Sequence, residues 1–109
     1  MEKLDQNFSR ESIADLIQVQ FEPVFNVTLM QTFNAFLSFT ADSVYIIPQF
    51  ADDAHYGARC FNVSEIETYG KKGLFGFQIT LIGGEKLTFA NVGKKMRLGI
   101  IEAIEARKA

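Results

Sequence analysis

In 109 residues the sequence has no tryptophan, one cysteine, one histidine and two prolines, and each scarcity removes a class of explanation. A lone Cys60 cannot close an intramolecular disulfide, which fits a reducing compartment. His55 stands with Asp52 and Asp53 in the irregular stretch ADDAHYG, but no further His or Cys follows at a metal-site spacing, so a polar loop is the simpler reading. No motif pairs Cys60 with His55 either, and Cys60 reads as a small apolar strand residue. The G-x-S-x-G, P-loop and H-E-x-x-H patterns are missing, which argues against an enzyme and against a bound metal or cofactor. No apolar run approaches the roughly 18 residues that cross a bilayer. The start, MEKLDQNFSR, lacks the apolar region and cleavage pattern of a signal peptide, so a cytoplasmic location is expected.

What is present points to a sheet. The length suits a single domain over residues 1–109, and 48% hydrophobic residues provide for a core. Eleven Phe and three Tyr place much of the core volume in aromatic rings, which suit strands half buried against a second layer. The net charge of -2 hides an asymmetry: residues 1–60 carry three basic and eight acidic side chains, residues 61–109 eight and five. Such a basic half can face an anionic partner, although a charge run is more simply a solvated face. An acidic chain without an interleaved aromatic and basic strand argues against nucleic acid.

Periodicity then divides the chain. Residues 1–22 form an N-terminal helical segment, with a helix predicted from Ser9 to Gln20 and Ile13, Leu16 and Ile17 on one face. That stripe covers the sheet or, alternatively, meets a second subunit. From Val24 the period becomes two. VFNVTLMQ, FNAFLSFT and SVYIIPQF read as a meander, with Phe33, Ala35, Leu37 and Phe39 on one face, Phe36 on the other, and Val44, Ile46 and Pro48 sharing a face. Arg59–Val63 resumes strand character, and a turn at Ser64–Ile66 leads into IETYG. Lys71-Lys72-Gly73 makes a tight hairpin tip before a strand predicted over Leu74–Ile82, which would place Phe75, Phe77, Ile79 and Leu81 together. Gly83-Gly84 is a two-residue hairpin loop, and Leu87 and Phe89 point inward on the return. Asn91 is the expected N-cap of a closing helix whose stripe is Met96, Ile100, Ala103 and Ile104, broadened by Leu98 and Ile101. Gly99 is expected to let that helix approach the sheet. Lys94, Lys95 and Arg97 fall in its first turn, where the dipole disfavours cations; nearby acids such as Glu85 would offset this, or the positions serve an anion.

This order of elements resembles the bacterial pleckstrin-homology-like (PH-like) and GRAM-like domains. FLSFTADSVYIIP is similar to their "l-x-x-T-x-x-x-l-y" strand, turn and strand, and FNVSEIETY to their "f-x-x-x-x-I-x-x-v" segment. FGFQITLIGGEKLTFA and the terminal helix match the hairpin and capping helix, so the resemblance spans residues 24–109. It implies a mainly β fold with helices: a bent antiparallel sheet or partly open barrel of about seven strands, closed by the C-terminal helix. Lipid-binding relatives hold phosphoinositides with Lys and Arg around the loop joining the first two strands. Here Leu29 to Asn34 has no basic residue, and the tryptophan usual in the closing helix is absent.

The function expected from these features is a non-catalytic binding or assembly module, contacting a protein partner or a second copy through the N-terminal stripe or an exposed strand edge. The alternative is peripheral contact with an anionic membrane surface through Lys71, Lys72, Lys94, Lys95 and Arg97. A third reading is a cystatin- or NTF2-like α+β cone with a small-ligand pocket between the N-terminal helix and the sheet.

Overall fold

The computed structural model describes residues 21–30, 33–50 and 58–108. The predicted helix with Ile13, Leu16 and Ile17, and the stretch with Asp52, Asp53 and His55, lie outside the described residues.

Seven strands follow in order: β1 (Val24–Leu29), β2 (Phe33–Phe39), β3 (Ser43–Pro48), β4 (Arg59–Asn62), β5 (Ile66–Lys71), β6 (Phe77–Leu81) and β7 (Lys86–Ala90). Helix α1 (Lys94–Lys108) closes the chain. All neighbours pair antiparallel in one sheet ordered β4-β3-β2-β1-β7-β6-β5. The two ends of that sheet, β4 and β5, are consecutive in the chain and joined only by a three-residue 3₁₀ turn, Val63–Glu65. A sheet whose outer strands are tied by so short a link must roll until its ends approach each other. Asn62 fixes the turn: its Oδ1 accepts from the Ser64 N–H at 2.9 Å, while Glu65 Oε2 accepts from the Asn62 N–H at 3.3 Å.

Strand pleating sends alternate side chains into the rolled sheet. β2 buries Phe33, Ala35, Leu37 and Phe39, β3 buries Val44, Ile46 and Pro48, and β6 buries Phe77, Ile79 and Leu81. Pro48 ends its strand, where a missing N–H is tolerated. On the second face of β2, Phe36 is exposed and Ser38 is the buried residue. Ile100, Ala103 and Ile104 of α1 complete the same core, with Met96 and Ile101 partly buried against it. The C-terminal helix therefore closes the PH-like sheet, and the cystatin- or NTF2-like cone is set aside. Gly99 permits the approach as expected, since a Cβ there would lie 3.1 Å from the Phe25 ring.

Four local expectations change. Phe75 is 64% exposed and outside the core, because the hairpin after β5 is longer than a tight turn: the Lys72 N–H donates to the Gly76 carbonyl, and β6 begins only at Phe77. The β6–β7 connection spans the four residues Ile82, Gly83, Gly84 and Glu85, with both glycines at positive φ and the Gly84 N–H donating to the Leu81 carbonyl. Asn91 is not the N-cap. It turns the chain with φ of 61° and donates from Nδ2 to Thr28 Oγ1, while the Gly93 carbonyl accepts the first helical bond, from the Arg97 N–H. Glu85 pairs with Arg59 at 2.8 Å rather than with the start of α1.

Candidate functional site

β5 is an end strand of the sheet, and the parity of its ladder identifies what it presents. The Lys72 N–H to Gly76 carbonyl bond makes that a hydrogen-bonded pair, and the register runs Lys71↔Phe77, Gly70↔Gln78, Tyr69↔Ile79, Thr68↔Thr80. Antiparallel pairs alternate, so Gly70 and Thr68 bond to β6 while the backbone groups of Tyr69 and Lys71 point to the open side. Ile66 also falls on the open side, and its carbonyl is taken by Lys108 Nζ at 2.7 Å. Among the described residues nothing pairs with the outward side of the Tyr69–Lys71 end, and this is the edge available for a new strand.

Helix α1 runs antiparallel beside this edge. Lys108 meets Ile66, and Glu105 accepts from the Tyr69 hydroxyl at 2.9 Å, so earlier residues of the helix lie alongside the Lys71 end. There the helix shows Leu98, 54% exposed, with Ile101, Glu102, Glu105 and Ala106 lining a shallow groove. An apolar step beside unpaired strand groups is the geometry that strand addition uses.

The same antiparallel course bears on the five predicted basic residues. Lys71 ends β5, Lys72 opens the hairpin, and Lys94, Lys95 and Arg97 lie in the first turn of α1, which has no acidic residue. The Val92 N–H donates to the Phe75 carbonyl at 2.9 Å, which ties the chain entering α1 to the hairpin loop. Both basic groups therefore flank one loop, carrying Leu74 at 73% and Phe75 at 64% exposure. Among the described residues none of the five has an ion-pair partner. The sequence put these five residues forward as one set but not their convergence, because twenty-odd residues separate the two groups and the loop–helix hydrogen bond joins them.

Other features are less suited to a site. An open cleft of about 670 Å³ holds Arg59, Lys72, Lys86 and Glu85, but the Arg59–Glu85 ion pair engages the one carboxylate that lines it among the described residues. Among the described residues no three His, Cys, Asp or Glu side chains gather as a metal site. Cys60 faces Tyr45 across β3 and β4, and burial pushes its thiol up, keeping it protonated. Burial, and then the hydrogen bond with Cys60, push the Tyr45 phenol up from 10.0 to about 12. The folded state holds that proton more tightly than the unfolded chain. Its stabilisation is complete below about pH 10 and is lost as pH rises through about 12. Urea unfolding across that window should show Tyr45→Phe losing less stability than the parent; identical slopes would contradict the assignment.

No protein-family model matches the chain, and no curated protein matches it in sequence. Solved structures do. The C-terminal domain of an unknown protein from Leishmania infantum superposes with a TM-score of 0.66 at 14% identity, covering 90% of this chain and 92% of that one. The FERM and C-terminal domain complex of Drosophila Merlin matches with a TM-score of 0.65 at 16% identity, covering 85% of this chain and 30% of that one. The matching part of Merlin is PH-like, and the seven-stranded sheet with its C-terminal helix gives this chain the same fold class. Likeness at this identity concerns the fold alone. Among the described residues no helix is long and apolar enough to cross a membrane.

Proposed function

We propose that the chain is a non-catalytic, cytoplasmic PH-like recognition module, of the GRAM-like kind suggested by its FLSFTADSVYIIP stretch. It takes an extended segment of a protein partner as an added strand on β5. The observation that carries this reading is the open edge at Tyr69 and Lys71 beside the exposed Leu98 of α1. Main-chain hydrogen bonds would supply affinity, and alternate apolar side chains resting on Leu98 and Ile101 would supply selectivity.

The test is selection of peptides from a random library against the protein, followed by titration against two variants. Tyr69→Pro removes an outward N–H at an edge where proline is tolerated, and Leu98→Asp puts a charge on the apolar step. Each should weaken selected peptides by about five- to tenfold, since one lost hydrogen bond or one lost apolar contact costs about 1–1.5 kcal/mol. Peptides that bind both variants like the parent would refute the site. Self-association through the same edge is the second reading, and light scattering separates it: a dimer dispersed by Tyr69→Pro supports edge pairing between copies.

A further inference from the structure

The basic hairpin supports a function separate from the β5 edge. We infer that the loop between β5 and β6 is a membrane-docking element, inserting Leu74 and Phe75 into an anionic lipid surface while Lys71, Lys72, Lys94, Lys95 and Arg97 hold the headgroups. The two apolar side chains are the most exposed large ones after β5, apart from Ile82, and they sit next to each other at a loop tip. Leu74 and Phe75 are a cost to the isolated molecule, since neither is packed in the core. Their surroundings select the occupant. The neighbouring cleft takes in Lys72 and Gly73 but neither Leu74 nor Phe75, so a small ligand there would leave the apolar tip uncovered, and lysine is depleted in the cores of protein interfaces. A bilayer surface accepts a projecting apolar tip, with cations held at the headgroup level around it.

Charge points the same way. The first turn of α1 has three cations and no acid, an arrangement that the positive end of the helix dipole opposes. Among the described residues no carboxylate pairs with them, so the unfavourable field is not relieved within the described fold. An anionic surface relieves it, and each cation near such a surface raises partitioning about fivefold. The geometry reaches beyond the basic set alone, because the Val92–Phe75 hydrogen bond holds the cations and the apolar tip as one unit.

The full chain should sediment with phosphatidylcholine vesicles that contain phosphatidylserine, and far less with phosphatidylcholine alone. High salt should reduce binding sharply, because contacts beyond the shortened Debye length are screened. The pair Leu74→Ser and Phe75→Ser should lower partitioning about tenfold or more while keeping the preference for phosphatidylserine. Lys94→Glu with Lys95→Glu should lower it at least about tenfold at low salt. Thermal unfolding of each variant separates lost folding from lost docking, and all four side chains lie outside the buried core. Since the chain has no tryptophan, Leu74→Trp gives a single emitter at the tip. Its emission should shift blue and be quenched by brominated lipid in serine-containing vesicles. Absence of pelleting at low salt, or unchanged binding by the serine pair, or an unshifted emission would overturn the inference. None of these outcomes depends on Tyr69 or Leu98, so the peptide-binding edge stands or falls separately.

Discussion

Replacing Arg107 with alanine is expected to destabilise the protein by about 3 kcal/mol and to lower its melting midpoint by more than about 10 °C. Its guanidinium donates from Nε to the Thr40 carbonyl at 2.6 Å, from Nη1 to the Ala103 carbonyl at 2.9 Å and from Nη2 to the Glu22 carbonyl at 2.8 Å. Its Cζ also lies 5.2 Å from the centroid of Phe39, a fully buried ring. One side chain thus joins the last turn of α1 to the chain before β1 and to the β2–β3 turn. Alanine would leave the Thr40 and Glu22 carbonyls without this donor and remove the cation from the ring face, while the Ala103 carbonyl keeps its helical N–H partner. Lysine in the same place keeps the charge but has no planar fork, so Arg107→Lys should recover less than half of the loss. Differential scanning calorimetry on the three proteins measures this; a midpoint for Arg107→Ala within a degree or two of the parent would refute the role.

Gly76→Ala is expected to cost a similar amount, about 3 kcal/mol, for a different reason. A Cβ at this position would drive into the carbonyl of Lys72 and come within 3.2 Å of the carbonyl of Phe89. Both obstacles are backbone, and the first is the partner residue that closes the hairpin, so neither can rotate away. The loop would have to open, and with it the Val92–Phe75 bond that positions the start of α1. Gly70→Ala makes the control. A Cβ there meets nothing within 4 Å, and the change should fall within about 0.5 kcal/mol of the parent. Equal effects of the two substitutions in urea unfolding would show that hairpin closure is not the cause.

The sheet was legible where side chains alternate against one core. Phe33 to Phe39 and Phe77 to Leu81 bury every second residue, and that period follows from the pleat alone. Gly99 was legible for a local reason too, since a helix lacking one Cβ has few uses other than close approach. Where the reading failed, distant contacts decided. Phe75 continues the period of β6, yet the Lys72–Gly76 closure leaves it in the loop; the pair of glycines at 73 and 76 was the available signal. Asn91 suits an N-cap by type, but the chain must still turn after β7, and Asn91 takes the left-handed conformation that makes the turn. Arg107 appeared only as a favourable charge in the last turn, because its other partners lie 67 and 85 residues away. The candidate sites follow the same division. The basic residues and the existence of an open edge could be anticipated, while the hairpin that gathers the cations, and the outward parity of Tyr69 and Lys71, depend on register.

Amide hydrogen exchange, read residue by residue by NMR with and without a library-selected peptide, tests the recognition edge most directly. The amides of Tyr69 and Lys71, exposed on the open side of β5, should exchange quickly in the free protein and become protected on binding. Gly70 and Thr68, already bonded to β6, should change little. Protection that appears elsewhere in the sheet, with Tyr69 and Lys71 still exchanging at the free rate, would contradict it.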